Sequence, residues 1–542
     1  MTTAEALLAA TLAAPLAMLL ACLSRPLRDH MPALLALAPM PALVAALLAP
    51  SGMLALPQPF RATLALDVPG ATLLGVAALL WIGAGAYASF HLRDDPNAGR
   101  FAEWWLLTLT GNFGVFICAD LVSFYLAFSL VSLAAYGVVV HDGTPRAQRA
   151  GIVYVSLAVL GEAFLLMGFV LLAAGTPGDS LLIRDTVAAL PASPWRDSAL
   201  ALLIAGFGLK IGLVPLHVWM PLAYTAAPIP AAAVLSGAAV KAGVIGLIRF
   251  LPLGTALPEW GEALTAAGLF SAFYGVVVGV TQTNSKTVLA YSSVSQMGQL
   301  AAVFGMGLAA GDAGAALAAT FYAANHILVK GALFLAVGVA AVTGARRLWP
   351  VLLPAAVLAL GLGGLPLTGG ALAKLAVKAQ LGEGVVGVLA ALSAVGTTLL
   401  MIHFLRRLVQ TAAQGSETTG PAGLVSPWLV MTFAALAVPW ALYPVTGSGT
   451  PIDPLTLDAL WAGLWPVLIG AVLAVGLWRW GHHLPHVPEG DMVVVYEGAA
   501  RAAVTSGEAM ERADGYLRRW PVAGLSLLAV VIILGVAMLA RH

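Results

Sequence analysis

Residues Phe207 to Phe250 read FGLKIGLVPLHVWMPLAYTAAPIPAAAVLSGAAVKAGVIGLIRF, which places Lys210 and Lys241 inside runs otherwise apolar enough to sit in lipid. An ammonium left uncompensated there costs about 3 kcal/mol on insertion scales, so each lysine marks a candidate functional group. Between them Pro215, Pro221, Pro228 and Pro230 interrupt the helical pattern. Proline removes a backbone donor, and backbone freed at membrane depth is tolerated only where protein or a water-filled cavity satisfies it. Buried lysines beside a broken helix form the pattern of an ion path.

The rest of the chain keeps this character: 542 residues, 60% hydrophobic and 9% charged, with mean hydropathy +0.94. Soluble domains carry about a quarter charged residues, so the composition predicts an all-α polytopic membrane protein. Apolar runs give about 16 spans, near 4–24, 32–49, 68–90, 101–118, 121–140, 150–174, 198–221, 228–250, 262–281, 287–306, 313–342, 349–381, 385–405, 424–444, 458–478 and 520–540. Met1 to Cys22 lacks a basic leader and runs into further spans, so it reads as a retained first helix. Cys22 and Cys118 each lie in an apolar run, which predicts buried packing. No Gly-rich phosphate loop, cysteine cluster or paired-histidine haem pattern points to a cofactor or metal, and nothing points to nucleic acid.

Charge placement tests the span count. With alternating spans, 16 cations fall on one side: Arg25, Arg28, Arg93, Arg100, Arg146, Arg149, Lys286, Arg346, Arg347, Arg406, Arg407, Arg479, Arg501, Arg512, Arg518 and Arg519. Only Arg61, Arg184, Arg196, Arg249 and Arg541 fall on the other. The positive-inside rule makes the crowded side the inner one and sets both termini outside a bacterial-type cell membrane. Every lysine falls between Lys210 and Lys378, and all but Lys286 lie within spans. Arginine keeps its proton, whereas a desolvated lysine can exchange one, so the titratable cation is reserved for the interior.

Along the chain, Asp120 stands at a helix start, where a cap and a functional anion fit equally. Glu162 lies deep in GIVYVSLAVLGEAFLLMGFVLLA and needs a partner or a proton, a neighbouring lysine or a relay step. Lys286 sits at a loop-helix junction ahead of Ser292, Ser293, Ser295 and Gln296, which suit helix-helix hydrogen bonds or a hydrated lining. His326 and Lys330 are four apart and share a helix face, a pairing that favours proton relay. LALGLGGLPLTGGALAKLAVKAQL repeats the glycine-proline break, followed by Lys374 and Lys378 on one face. Two broken helices five spans apart predict inverted repeats with sites at the midplane. Glu162 follows Tyr154, and Lys330 follows Tyr322, at the same interval, in spans that also differ by five. His403 fits a last relay group and an interfacial histidine equally well. An amphipathic surface helix is expected near 490–519.

KIGLVPLHVWMPLAYTAAPIP, NSKTVLAYSSVSQMG, NHILVKGALFL and GLPLTGGALAK resemble the antiporter-like, proton-conducting subunits shared by respiratory complex I, energy-converting membrane hydrogenases and Mrp-type cation/proton antiporters. The resemblance covers roughly Asp120 to Arg407. It implies two inverted five-helix repeats: residues 1–98 as scaffold, 99–251 as the first repeat, 252–408 as the second and 409–542 as C-terminal helices. It also implies a relay in which Lys210 is the broken-helix lysine, Lys241 the connector, His326 with Lys330 the centre of the second half and Lys374 its terminus. His217, Asp120, Lys286, Lys378 and His403 are accessory candidates. Two residues depart from the family pattern: Ser129 stands where a glutamate is usual, and Leu222 where an aspartate is usual. Either Glu162 takes over the pairing with Lys210, or the first half-channel is impaired. The implied partners are other membrane subunits and the lipid bilayer, and the cargo is protons, with Na+ or K+ as alternatives. Three settings follow: a subunit coupled to a redox module, an Mrp-type antiporter subunit, and a membrane partner in proton-coupled inorganic-carbon uptake.

Overall fold

The computed structural model describes residues 2–49, 51–55, 62–178, 180–412, 419–481, 485, 487–517 and 532. Residues 1–489 form one compact unit and residues 490–542 a second. The first unit opens with α1 (Thr3–Ala21), α2 (Arg25–Leu34) and α3 (Met40–Leu48), then a short antiparallel hairpin of β1 (Met53–Ala55) and β2 (Thr63–Ala65) in which Met53 pairs with Ala65. Four longer helices follow: α4 (Val68–His91), α5 (Ala98–Ile117), α6 (Leu121–Val139) and α7 (Pro145–Ala174). After the short α8 (Ile183–Ala189) comes the first broken segment, α9 (Arg196–Ile211), α10 (Trp219–Ala226), α11 (Ile229–Val234) and α12 (Lys241–Phe250). Three long helices, α13 (Pro258–Gly279), α14 (Ser285–Ala310) and α15 (Ala315–Ala341), lead to the second, α16 (Trp349–Gly363), α17 (Gly369–Ala376) and α18 (Lys378–Leu381). The unit closes with α19 (Val385–Thr411), α20 (Ala422–Val445) and α21 (Leu457–Trp480), while the second unit holds α22 (Val493–Leu517).

Local chemistry sets these boundaries. Thr2 caps α1 in a reciprocal box with Glu5, and Asp67, Asp120, Thr144 and Thr456 accept from the first-turn N–H groups of α4, α6, α7 and α21. Gly212 (φ +74°) and Gly364 (φ +110°) end α9 and α16 in the left-handed region, so both broken segments stop on a residue that adopts it freely.

Among the described residues ten helices are long and apolar enough to cross a membrane. The span expected near 32–49 is instead α2 and α3 separated by 35–39, and that near 349–381 is three helices. The span near 520–540 and the charges at Arg61, Arg518, Arg519 and Arg541 lie outside the described residues. Few residues of α1 and α21 are buried, which is the lipid-facing pattern, whereas the α11–α12 segment and α15 are buried along their most apolar windows. The centre of the bundle is therefore the pair of elements that carry Lys241, His326 and Lys330. Both Cys22 and Cys118 are buried.

α13 and α14 approach nearly backbone to backbone. Gly268 faces the Gly298 carbonyl, and a Cβ at Gly268 would stand 2.6 Å from that oxygen and from Ala302 N; one at Gly275 would stand 2.6 Å from the Tyr291 carbonyl. Small residues give association in lipid its close contact, since apolar burial adds little between helices there. Gly268→Leu meets backbone that cannot move aside, so it costs about 3 kcal/mol or more, above ordinary overpacking. The expected result is loss of the folded protein from the membrane or a sharply lowered unfolding midpoint in detergent.

Candidate functional site: a buried row of cations

The first half of the row is built where α6, α7 and α9 meet. Lys210, in the last turn of α9, is buried and donates to Ser132 Oγ at 2.8 Å, with its ammonium 5.4 Å from the centre of the Phe128 ring. Glu162, buried on α7, accepts from Ser129 Oγ, while its Oε1 has no hydrogen-bond partner. Glu162 and Lys210 interact across Ser132 and not as a direct ion pair. The carboxylate thus lies directly beside Ser129.

α12 joins the halves. It packs on α9 with Gly243 against the Lys210 stem. Lys241 follows a π-helical turn, Leu235–Ala239, a distortion often found at functional positions. The carbonyl of Ala238 in that turn accepts from Asn112 Nδ2 at 3.1 Å, and Asn112 in turn accepts from Trp81 Nε1. Lys241 Nζ lies 2.8 Å from His326 Nδ1, with both side chains fully buried. His326 therefore pairs with Lys241 from the other half as well as sharing a face with Lys330. Lys330 Nζ donates to the Leu289 carbonyl of α14 at 2.8 Å.

Tyr322 stands one turn before His326 on the same face and donates to Gln296 Oε1 at 2.5 Å, and Gln296 donates to Thr397 at 3.1 Å. Tyr322, Gln296 and Thr397 line a cavity of about 300 Å³ with Lys374, Gln299 and Ser393, and the Gln299 Nε2 and Ser393 Oγ atoms have no hydrogen-bond partners. Lys374 and Lys378 do not share a helix face: the helix breaks at Val377, and Lys378 begins α18 as an exposed residue at the same cavity.

The accessory candidates are distributed around this row. Asp120 uses both carboxylate oxygens on backbone, taking Ser123 N at 2.9 Å and Thr63 N at 2.8 Å, the geometry of a cap. His217 is buried between the halves of the first broken segment, 5.1 Å from the Tyr274 ring. Lys286 donates to the Ala227 carbonyl at 2.8 Å, at the junction of α10 and α11. His403 bonds the Gln282 carbonyl at 2.8 Å, fastening α19 to the turn before α14. Sequence reasoning missed Ser132 and Gln299 and read Tyr322 only as a marker of the repeat; the available signal was a second polar residue three positions on, Ser132 after Ser129 and Gln299 after Gln296.

Near Lys286, a second cavity of about 470 Å³ is lined by Arg100, Trp104, Tyr136, His141, Asp142 and Gln148. His141 Nε2 meets Asp95 Oδ2 at 2.7 Å, and Asp95 Oδ1 accepts from Asn97 N at 2.7 Å. Burial raises the Asp95 carboxyl, but the bonds from His141 and Asn97 outweigh it and hold the group below its ordinary value.

Membrane-length helices around a buried lysine–histidine row, with two segments broken at glycine and proline, define an antiporter-like membrane subunit. The chain belongs to the family described as NADH:quinone oxidoreductase/Mrp antiporter, transmembrane, which matches residues 118–400. It is 33% identical to NADH-quinone oxidoreductase subunit N of Desulforudis audaxviator (strain MP104C) over 307 residues, 54% of this chain and 59% of that one. It is 31% identical to hydrogenase-4 component B of Escherichia coli (strain K12) over 290 residues, 51% of this chain and 43% of that one. The chain therefore spans less than two thirds of these relatives' length. Its fold matches a chain in the structure of the Mrp complex from Dietzia sp. DQ12-45-1b, with a TM-score of 0.82 at 20% identity, covering 100% of this chain and 63% of that one.

A depressed carboxyl stabilises the fold at pH values above its unfolded pKa of about 4, and the contribution is lost as pH falls through the folded value. His141→Phe, which keeps the ring against Phe101 but removes the nitrogen, is expected to cost about 1 kcal/mol at pH 7. Thermal unfolding of both proteins between pH 7 and pH 3 checks this: the gap closes as the carboxyl protonates.

Proposed function

We propose that this chain is the proton-carrying subunit of a larger membrane complex. Protons enter at the end bearing His141 and Lys286, reach Lys210, cross through Lys241 to His326 and Lys330, and leave past Lys374. The observation that carries the reading is the Lys241–His326 contact, which joins the two halves of the row at 2.8 Å. Two unit charges about 3 Å apart repel by about 6 kcal/mol at an effective dielectric of 20, so the pair holds no more than one excess proton. A proton arriving on one side must be passed on before the next can enter. Glu162, beside Ser129 and near Lys210, is the acid of the first half.

Residues 99–251 and 252–408 serve as inverted repeats in this reading. Tyr154 donates to the Ser132 carbonyl on the preceding helix, as Tyr322 donates to Gln296, and both broken segments pause on a left-handed glycine. The excess of cations on one set of loops supports a bacterial cell membrane with both termini outside. A row of ammonium and imidazole groups suits protons better than Na+ or K+, which it would repel. The driving module is a redox arm, a reading supported by the relatives named for NADH-quinone oxidoreductase and hydrogenase-4. The alternative drive is an imposed cation gradient, as suggested by the name of a further relative, a Na(+)/H(+) antiporter component from Bacillus subtilis (strain 168) that is 31% identical over 266 residues.

Gentle purification of the intact complex, with spectra for flavin and iron–sulfur absorbance, decides the drive: their presence selects the redox arm and their absence the gradient. Under that drive Lys330→Ala and Glu162→Gln are each expected to slow proton transport about tenfold or more, equivalent to about 1.4 kcal/mol. Full transport by Glu162→Gln removes that residue from the relay.

A further inference from the structure

The first half of the row ends, on the side away from Lys286, in a cluster that contains no polar atom. Phe124 packs against four other rings, with centroids 6.2 Å from Phe128, 6.2 Å from Phe169, 6.2 Å from Phe207 and 5.0 Å from Phe250. Phe250 also stacks on Phe169 at 4.7 Å and meets Phe207 at 5.4 Å. All five are buried, and they come from four helices, α6, α7, α9 and α12. Gly246 of α12 lies directly against the Phe207 ring and has no room for a Cβ, so the helix gives up a side chain to seat it.

The cluster separates two polar regions. On one side Lys210 sits over Phe128, beside Ser132 and Glu162. On the other, one turn before Phe124, Asp120 caps α6, and Arg249, next to Phe250, places its guanidinium on the carbonyls of Val115, Phe116 and Cys118 and on Asp67. The second half is built differently: the cavity holding Lys374 extends to Gly382 and Pro454, in the loops after α18 and before α21.

We propose that these five phenylalanines are a dry plug that denies a proton on Lys210 direct escape to the Asp120–Arg249 end and so forces it sideways toward Lys241. The plug rests on the relay reading given above. Proton transfer needs a chain of donors and acceptors, and an aromatic constriction excludes the water that would supply one. The barrier therefore lies in the absence of polar atoms, and ring volume alone is not what matters.

The test uses the assembled complex in proteoliposomes with a trapped pH-sensitive dye, an imposed pH gradient and no drive. The wild type and Phe250→Leu, which stays apolar, hold the gradient. Phe250→Asn and Phe124→Ser, on two different helices of the cluster, raise passive proton flux about tenfold or more. Adding Lys210→Ala to either one abolishes the leak, which simple loosening of the core would not do. A gradient held by whichever polar variant assembles, or a leak that persists with Lys210→Ala, overturns the plug. Driven transport by Lys210→Ala alone judges the relay separately: retained transport sinks the relay, whereas lost transport with no leak sinks only the plug.

Discussion

The structure depends on how ammonium groups are held in an interior that offers them almost no opposite charge. Glu162 and the cap residue Asp120 are the buried acids among the described residues, and neither makes a direct ion pair with Lys241 or Lys330. Lys210 leans on a serine hydroxyl and an aromatic face, Lys241 on an imidazole, Lys330 on a main-chain carbonyl. Each partner is neutral, so each grip is weak compared with a buried ion pair, whose loss of one member costs about 3–5 kcal/mol. Groups held this way can change protonation without the surrounding helices losing a strong bond. A row of tight ion pairs would fix the charges in place.

Main-chain carbonyls near the row also take side-chain donors. The π-helical turn before Lys241 leaves the Ala238 carbonyl to Asn112, the break after α10 leaves the Ala227 carbonyl to Lys286, and the Leu289 carbonyl serves Lys330. At the first break an irregular main-chain carbonyl is occupied by a cation, Lys286, whereas Lys330 shares a carbonyl that lies within the regular helix α14.

Much of this was legible in the sequence because charge stands out against hydropathy. The lysines, Glu162 and the two glycine–proline breaks announce themselves in runs that otherwise read as lipid-compatible. Partnerships were less legible. Lys241 and His326 lie 85 residues apart, and His141 and Asp95 lie 46 apart, so no local pattern links them. The expected pairing of Glu162 with Lys210 runs across Ser132, because Ser129 on the adjoining helix reaches the carboxylate first. The face expected to hold Lys374 and Lys378 together was lost to a helix break that spacing alone does not encode. The glycines of α13 recur every seven residues at Gly261, Gly268 and Gly275, a readable stripe hidden by the general abundance of glycine. The phenylalanine cluster draws on four helices and becomes visible only once they are packed.

Arg249 bears on how such a chain is made. Its guanidinium caps the last carbonyls of α5 and reaches back to Asp67, a contact that closes over 182 residues. Helices enter the bilayer in the order in which they are synthesised, so the end of α5 waits through the insertion of α6, α7 and the first broken segment before its cap arrives. During that interval its carbonyls must be satisfied by water or by the insertion machinery. Maturation of the rim beside the first half is thus timed by the emergence of a single residue, and a stalled nascent chain ending before Arg249 would carry an open helix end.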